Sequence, residues 1–206
     1  MMQSEKLVFL DLETTGTNAA TDRITEIGLV EVEGGEVSRW STLVNPEMPI
    51  PSFIQRLTGI SDRMVSTAPP IEAVLDTVRS RLEGGLFIAH NARFDFGFLN
   101  HACLQAGQAL QNEVLCTVRL SRRLFPGERR HNLDTLIVRH QLQTGERHRA
   151  LADADLLWQL WNKLSSELAP EVFQPAVQAL RQRPGLPSVK KKRPRATDLT
   201  GAAGER

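Results

Sequence analysis

Asp11 and Glu13 stand two residues apart in Leu7-Val8-Phe9-Leu10-Asp11-Leu12-Glu13, a run that is otherwise apolar. In a strand, both carboxylates project from one face. Two like charges held together and partly desolvated resist ionisation unless a cation lies between them. The pair therefore reads as one wall of a metal site. Asp95 and Asp153 supply further walls. Asp95 heads a stripe of Leu99, Ala102 and Ala106 at spacings of 4, 7 and 11, and Asp153 heads Leu157, Leu160 and Leu164 at the same spacings. Each carboxylate thus starts the apolar face of a helix and points inward. Asp155 shares its side with Gln159 and Asn162 and faces out. Hard oxygen ligands suit Mg2+ or Mn2+, since neither paired thiols nor clustered imidazoles are present to select zinc. His148 lies five residues before Asp153, in a loop that can carry it over the same site. An imidazole there can take a proton from water near neutral pH.

The elements that must position these groups are legible in the pattern. Thr14-Thr15-Gly16-Thr17-Asn18 is a turn. The runs Ile24 to Glu33 and Glu36 to Asn45, separated by Gly34-Gly35, predict a hairpin, so three antiparallel strands open the chain. A short helix is expected over Ser52 to Leu57, closed by Thr58-Gly59, and a longer one over Ile71 to Leu82 before Gly84-Gly85. Leu86 to Ala89 predicts a buried strand feeding a helix from Ala92 to about Ala106, with Asn91 as its N-cap. Val114 to Cys116 predicts one more short strand. Helices follow over Thr117 to Leu124, Leu133 to His140, Ala150 to about Leu164, and Glu171 to Leu180.

With 206 residues, 41% of them hydrophobic, the chain is long enough for one well-packed domain. That domain is expected over residues 1–180, with residues 181–206 a basic, disordered tail. Through Leu180 there are 17 basic and 22 acidic residues; after it, 8 and 2. An acidic body excludes a broad nucleic-acid-coating surface and confines such contact to local features. Arg119, Arg122, Arg123, Arg129 and Arg130 form one such cluster. No run of about 18 apolar residues occurs, and residues 1–6 lead into a strand without a secretory signal, so a cytoplasmic protein with no membrane contact is expected. Cys103 and Cys116 fit a reducing compartment and lack metal-ligand spacing.

Three segments resemble the motifs of the DEDDh 3′-to-5′ exonucleases, the family of the proofreading (epsilon) subunit of bacterial DNA polymerase III. They are Asp11-Leu12-Glu13-Thr14-Thr15-Gly16, His90-Asn91-Ala92-Arg93-Phe94-Asp95-Phe96-Gly97-Phe98-Leu99, and His148-Arg149-Ala150-Leu151-Ala152-Asp153-Ala154. Three motifs in order are a strong signal where any one alone is weak. The similarity takes in Leu57-Thr58-Gly59-Ile60 and Asn132-Leu133-Asp134-Thr135-Leu136, and so spans about residues 6 to 165.

The resemblance implies an α/β, ribonuclease-H-like fold with a mixed sheet of about five strands, the first three antiparallel, flanked by helices. It implies two divalent ions, one on Asp11, Glu13 and Asp153, the other on Asp11 with support from Asp95. His148 becomes the general base, and Thr14, Thr15, Leu57, Asn91 and Phe94 become contacts for the terminal nucleotide. The implied substrate is a single-stranded or frayed DNA 3′ end, released as nucleoside 5′-monophosphates in proofreading or repair. The implied partner is a polymerase catalytic subunit, although no clamp-binding peptide of the Gln-Leu-x-Leu-Phe kind follows Leu164. Two other functions fit the same residues. One is an RNA 3′-end trimming enzyme like ribonuclease T, because the motifs read a phosphodiester and not a sugar. The other is a module that only binds or stabilises a polymerase.

Overall fold

The computed structural model describes residues 5–145 and 147–183. The basic run Lys190 to Arg195, assigned above to a tail, lies outside the described residues. Five strands, β1 (Leu7–Thr14), β2 (Ile24–Glu33), β3 (Glu36–Leu43), β4 (Leu86–Ala89) and β5 (Val114–Cys116), form one sheet in the order β3-β2-β1-β4-β5. β1, β2 and β3 are antiparallel neighbours, whereas β4 runs parallel to β1 and β5 parallel to β4. The expected mixed sheet with three antiparallel strands first is present.

Alternation along the strands divides the core between the two faces of the sheet. Val8, Leu10 and Leu12 of β1 join Phe87 and Ala89 of β4 on one face, under α3 (Ile71–Leu82) and α4 (Arg93–Gln105). Phe9, Ile88 and Leu115 occupy the other face, under α5 (Thr117–Leu124), α6 (Leu133–His140), α7 (Ala150–Glu167) and α8 (Pro170–Leu180). A small third cluster of Ile50, Ile60 and Val65 secures α1 (Ser52–Thr58) and α2 (Asp62–Val65). The sequence pattern misses α2, because four residues carry no period; Ser61 starts it by accepting from the Met64 N–H.

Two local expectations are corrected. Asn91 does not cap α4: it adopts a left-handed backbone (φ 65°), and Ala92 holds the cap position without a side-chain bond. The chain also stays on the body past Leu180. Val114 and Gln182 exchange backbone hydrogen bonds of 2.8 and 3.0 Å, and Arg181 pairs with Glu5 and Glu113. This pairing covers the edge that β5 otherwise exposes. No described helix is long and apolar enough to cross a membrane.

Candidate active site

β1 places Asp11 and Glu13 on the face that carries Phe9, the face against which α7 packs. α7 reaches them because of Gly28. Gly28 is the register partner of Asp11 on β2, and a Cβ on it would collide with the backbone of Ala150 and Leu151. Its missing side chain lets the first turn of α7 lie directly on the sheet beside Asp11. Asp153, one turn into α7, then closes on the strand carboxylates. Asp11, Glu13 and Asp153 each offer an oxygen within 4.8 Å of the others.

Glu26 fixes that helix start. It is 3% exposed and is the β2 partner of Glu13. Its carboxylate accepts from Arg149 Nη2 at 2.7 Å and from the Ala150 backbone N–H at 2.9 Å. The second bond satisfies one of the open N–H groups at the start of α7, and the negative charge suits that end of a helix. On the outer side, Arg39 of β3 pairs with Asp155 at 2.7 Å and stacks over Trp158. The outward-facing carboxylate of α7 is thus tied to the sheet edge, away from Asp153.

Asp95 approaches from the opposite helical layer. It is 2% exposed, and one carboxylate oxygen accepts the Leu12 N–H at 3.2 Å, so α4 is bonded to the backbone between Asp11 and Glu13. It lies outside the cluster of three. Burial, and then repulsion by Asp95, Asp153 and Glu13, holds the Asp11 carboxyl well above the usual range, with Arg147 opposing. Burial with repulsion from Asp153 and Glu26 raises Glu13 to about 7. Burial raises Asp95 to about 8, against the lowering effect of its backbone hydrogen bonds. Carboxylates this reluctant to ionise are groups that gain most from a bound cation.

Sequence reasoning passed over Arg147. Its guanidinium bonds Asp153 on one side and Asp134 of α6 at 2.7 Å on the other, placing a positive charge against the cluster. His148 follows, half-buried with a left-handed backbone (φ 59°), and its ring makes no hydrogen bond among the described residues. His90, at the end of β4, bonds the Thr117 hydroxyl at 2.9 Å, and burial pushes its imidazole down to about 4, so it stays neutral. The signals for Glu26 and Gly28 were a carboxylate and a glycine within the mostly apolar first part of β2, residues 24–30. Each gains its meaning only from α7.

The expected nucleotide contacts divide into two groups. Thr14 donates its hydroxyl to the Gly16 carbonyl at 2.6 Å, and the Thr15 hydroxyl accepts the Arg23 N–H at 2.9 Å, so both build the turn after β1. Phe94 packs on Phe98 at 4.9 Å between ring centres. Leu57, in contrast, is 53% exposed on α1, and Asn91 is exposed at the mouth of α4.

A mixed five-stranded sheet between helical layers, with carboxylates brought together from its central strand and two helices, defines an α/β domain of the ribonuclease-H-like class. A family model described as "Exonuclease" (RNase_T) matches residues 8–160, and the chain belongs to that family. It is 38% identical over 184 residues to the 3′-5′ exonuclease DinG of Bacillus subtilis, covering 88% of this chain and 20% of DinG. It is also 38% identical over 168 residues to the PolC-type DNA polymerase III of Caldanaerobacter subterraneus, covering 81% of this chain and 12% of the polymerase. The chain thus spans a fifth or less of these relatives. Among solved structures, exonuclease X in complex with 5′-overhanging duplex DNA superposes with a TM-score of 0.65 at 28% identity, covering 83% of this chain and 99% of that one.

Proposed function

We propose that the protein is a metal-dependent 3′-to-5′ exonuclease that removes nucleoside 5′-monophosphates from DNA 3′ ends. The observation that carries this reading is the convergence of Asp11, Glu13 and Asp153 within 4.8 Å, in a chain of the exonuclease family. The donor set is all carboxylate, and Asp11 and Glu13 within it are raised in pKa, which fits hard divalent cations such as Mg2+ or Mn2+. Asp11, Glu13 and Asp153 would hold one ion, and Asp95 with Asp11 would support a second. Bound ions there supply an activated water and offset the charge of the reacting phosphodiester.

The remaining work falls to side chains. His148 takes the proton of the attacking water from the loop before α7, where its ring is uncommitted. Asp95 accepts the Leu12 N–H and so ties α4 to β1 between Asp11 and Glu13. The turn of Thr14 and Thr15 backs the terminal nucleotide, Leu57 offers an apolar edge to its base, and Asn91 and Phe94 border the same mouth. DNA is favoured as substrate by the likeness to DinG, to the PolC-type polymerase and to exonuclease X on DNA. The PolC likeness also makes a polymerase catalytic subunit the partner class to test by co-purification, and the cytoplasm the expected compartment.

Digestion of 3′-labelled DNA and RNA strands of matched sequence, with Mg2+ or EDTA, tests the reading. DNA should shorten from its 3′ end only with the ion. Asp11→Asn and Glu13→Gln should each reduce the rate about a thousandfold or more while the protein stays folded. Turnover unchanged in either variant would refute the mechanism, and preferential digestion of RNA would overturn the choice of substrate.

A further inference from the structure

We infer that a groove between α4 and α5 carries the phosphate backbone of the substrate on the 5′ side of the nucleotide being removed. The inference rests on the exonuclease reading and extends it from the reacting end to the strand behind it. The groove has a volume of about 1000 Å3, and Asn91, four residues before Asp95, is among its lining residues. It runs between the face of α4 that presents Arg93 and His101 and the face of α5 that presents Arg119 and Arg122. Phe96, Val118 and Leu180 give it an apolar floor.

Its charge sets it apart from the rest of the molecule. Through Leu180 the chain is acidic, 17 basic against 22 acidic residues, yet among the described residues no carboxylate lines this groove. Many arginines elsewhere on the body are matched, Arg39 with Asp155, Arg81 with Glu31, Arg139 with Glu128 and Arg181 with Glu5, and those that are not, such as Arg56, Arg63 and Arg130, line no such groove. Arg93, Arg119 and Arg122 are exposed and form no ion pair among the described residues. Only Arg183 at the far end is matched, by Glu113. A cationic rim over an apolar floor, beside the segment that leads into Asp95, suits a nucleic-acid strand whose phosphates meet the rim and whose bases meet the floor.

The test is Arg119→Glu/Arg122→Glu beside the charge-keeping Arg119→Lys/Arg122→Lys, both checked for folding by circular dichroism. Binding of a fluorescent 20-nucleotide strand in EDTA reads the groove without hydrolysis. Hydrolysis of that strand and of a dinucleotide with Mg2+ reads the groove and the carboxylate site together. The Glu variant should bind the strand at least tenfold more weakly, with a shallower dependence on salt by about 1.4 in log–log slope for two lost phosphate contacts. Its kcat/KM should fall at least tenfold further on the strand than on the dinucleotide, and the Lys variant should recover most of the loss. Equal losses on both substrates, unaltered binding, or displacement of the strand by a polyglutamate peptide as readily as by unlabelled DNA would overturn the inference. A wild-type protein that binds the strand through this groove but hydrolyses nothing would refute the exonuclease reading alone.

Discussion

Arg147 stands where charge balance in the cluster calls for a cation, against Asp153 on one side and Asp134 on the other. A divalent ion on Asp153 must compete with that guanidinium for the same carboxylate. Arg147→Ala should therefore tighten Mn2+ binding, by about fivefold if the pair is worth ~1 kcal/mol, the scale of a partly exposed ion pair. The same variant without metal should melt at a lower temperature, because the carboxylates lose the positive charge opposing their repulsion. Calorimetric titration with Mn2+ and a melting curve in EDTA check the two signs together. Weaker Mn2+ binding in the variant would show that Arg147 supports the ion's site and does not compete for it. Sequence spacing brought Asp11, Glu13, Asp95 and Asp153 into view because each sits on an otherwise apolar face. It did not reveal Arg147, whose position depends on how a loop folds back onto α6 and α7.

At the scale of elements, the site depends on how closely α7 can lie on β2. Gly28→Ala adds a methyl group where the backbone of Ala150 and Leu151 already sits, and backbone cannot swing aside as the end of a side chain can. The variant should lose about 1–3 kcal/mol of stability, the usual range for overpacking, and should lose activity as Asp153 is lifted from Asp11. Gly97→Ala supplies the contrast. Gly97 lies within α4, where an added Cβ meets nothing within 4 Å, so that change should stabilise the protein by up to ~1 kcal/mol. Denaturant unfolding of both variants distinguishes a local steric effect from a general intolerance of added methyl groups. Apart from α2, the strands and helices were readable from local pattern, and the mixed sheet with its first three strands antiparallel was implied by the family resemblance. The roles of Gly28 and Glu26 were not readable, since both are set by a helix that begins more than a hundred residues later. Asn91 was misread because its residue type suits a cap and a left-handed backbone alike, and tertiary context selects the second.

For the whole molecule, enclosing these carboxylates between two helical layers ties folding stability to pH. Glu13 is raised from 4.5 to about 7, Asp95 from 3.8 to about 8, and Asp11 is raised as well. Groups whose folded pKa exceeds the unfolded value leave the native state holding more protons across the interval, so their contribution is fully present in acid and is lost as pH rises through the folded values. His90, lowered from 6.5 to about 4, and His140, also lowered by burial, work the other way, but their effect fades once the unfolded histidines are neutral, above 6.5. Between pH 6.5 and 8 the carboxylates therefore decide the slope. The melting temperature in EDTA should fall across that interval. Saturating Mn2+ should remove most of the fall, because ion binding strengthens as the ligands lose their protons. Asp95→Asn keeps an oxygen to accept the Leu12 N–H while removing the buried charge, so it should flatten the fall in EDTA even as it abolishes nuclease activity. Melting curves at pH 6.5 and 8 for both proteins, with EDTA and with Mn2+, carry the test. A wild-type melting temperature that rises across the interval in EDTA would mean that these carboxylates are not the groups whose burial sets the stability of the fold.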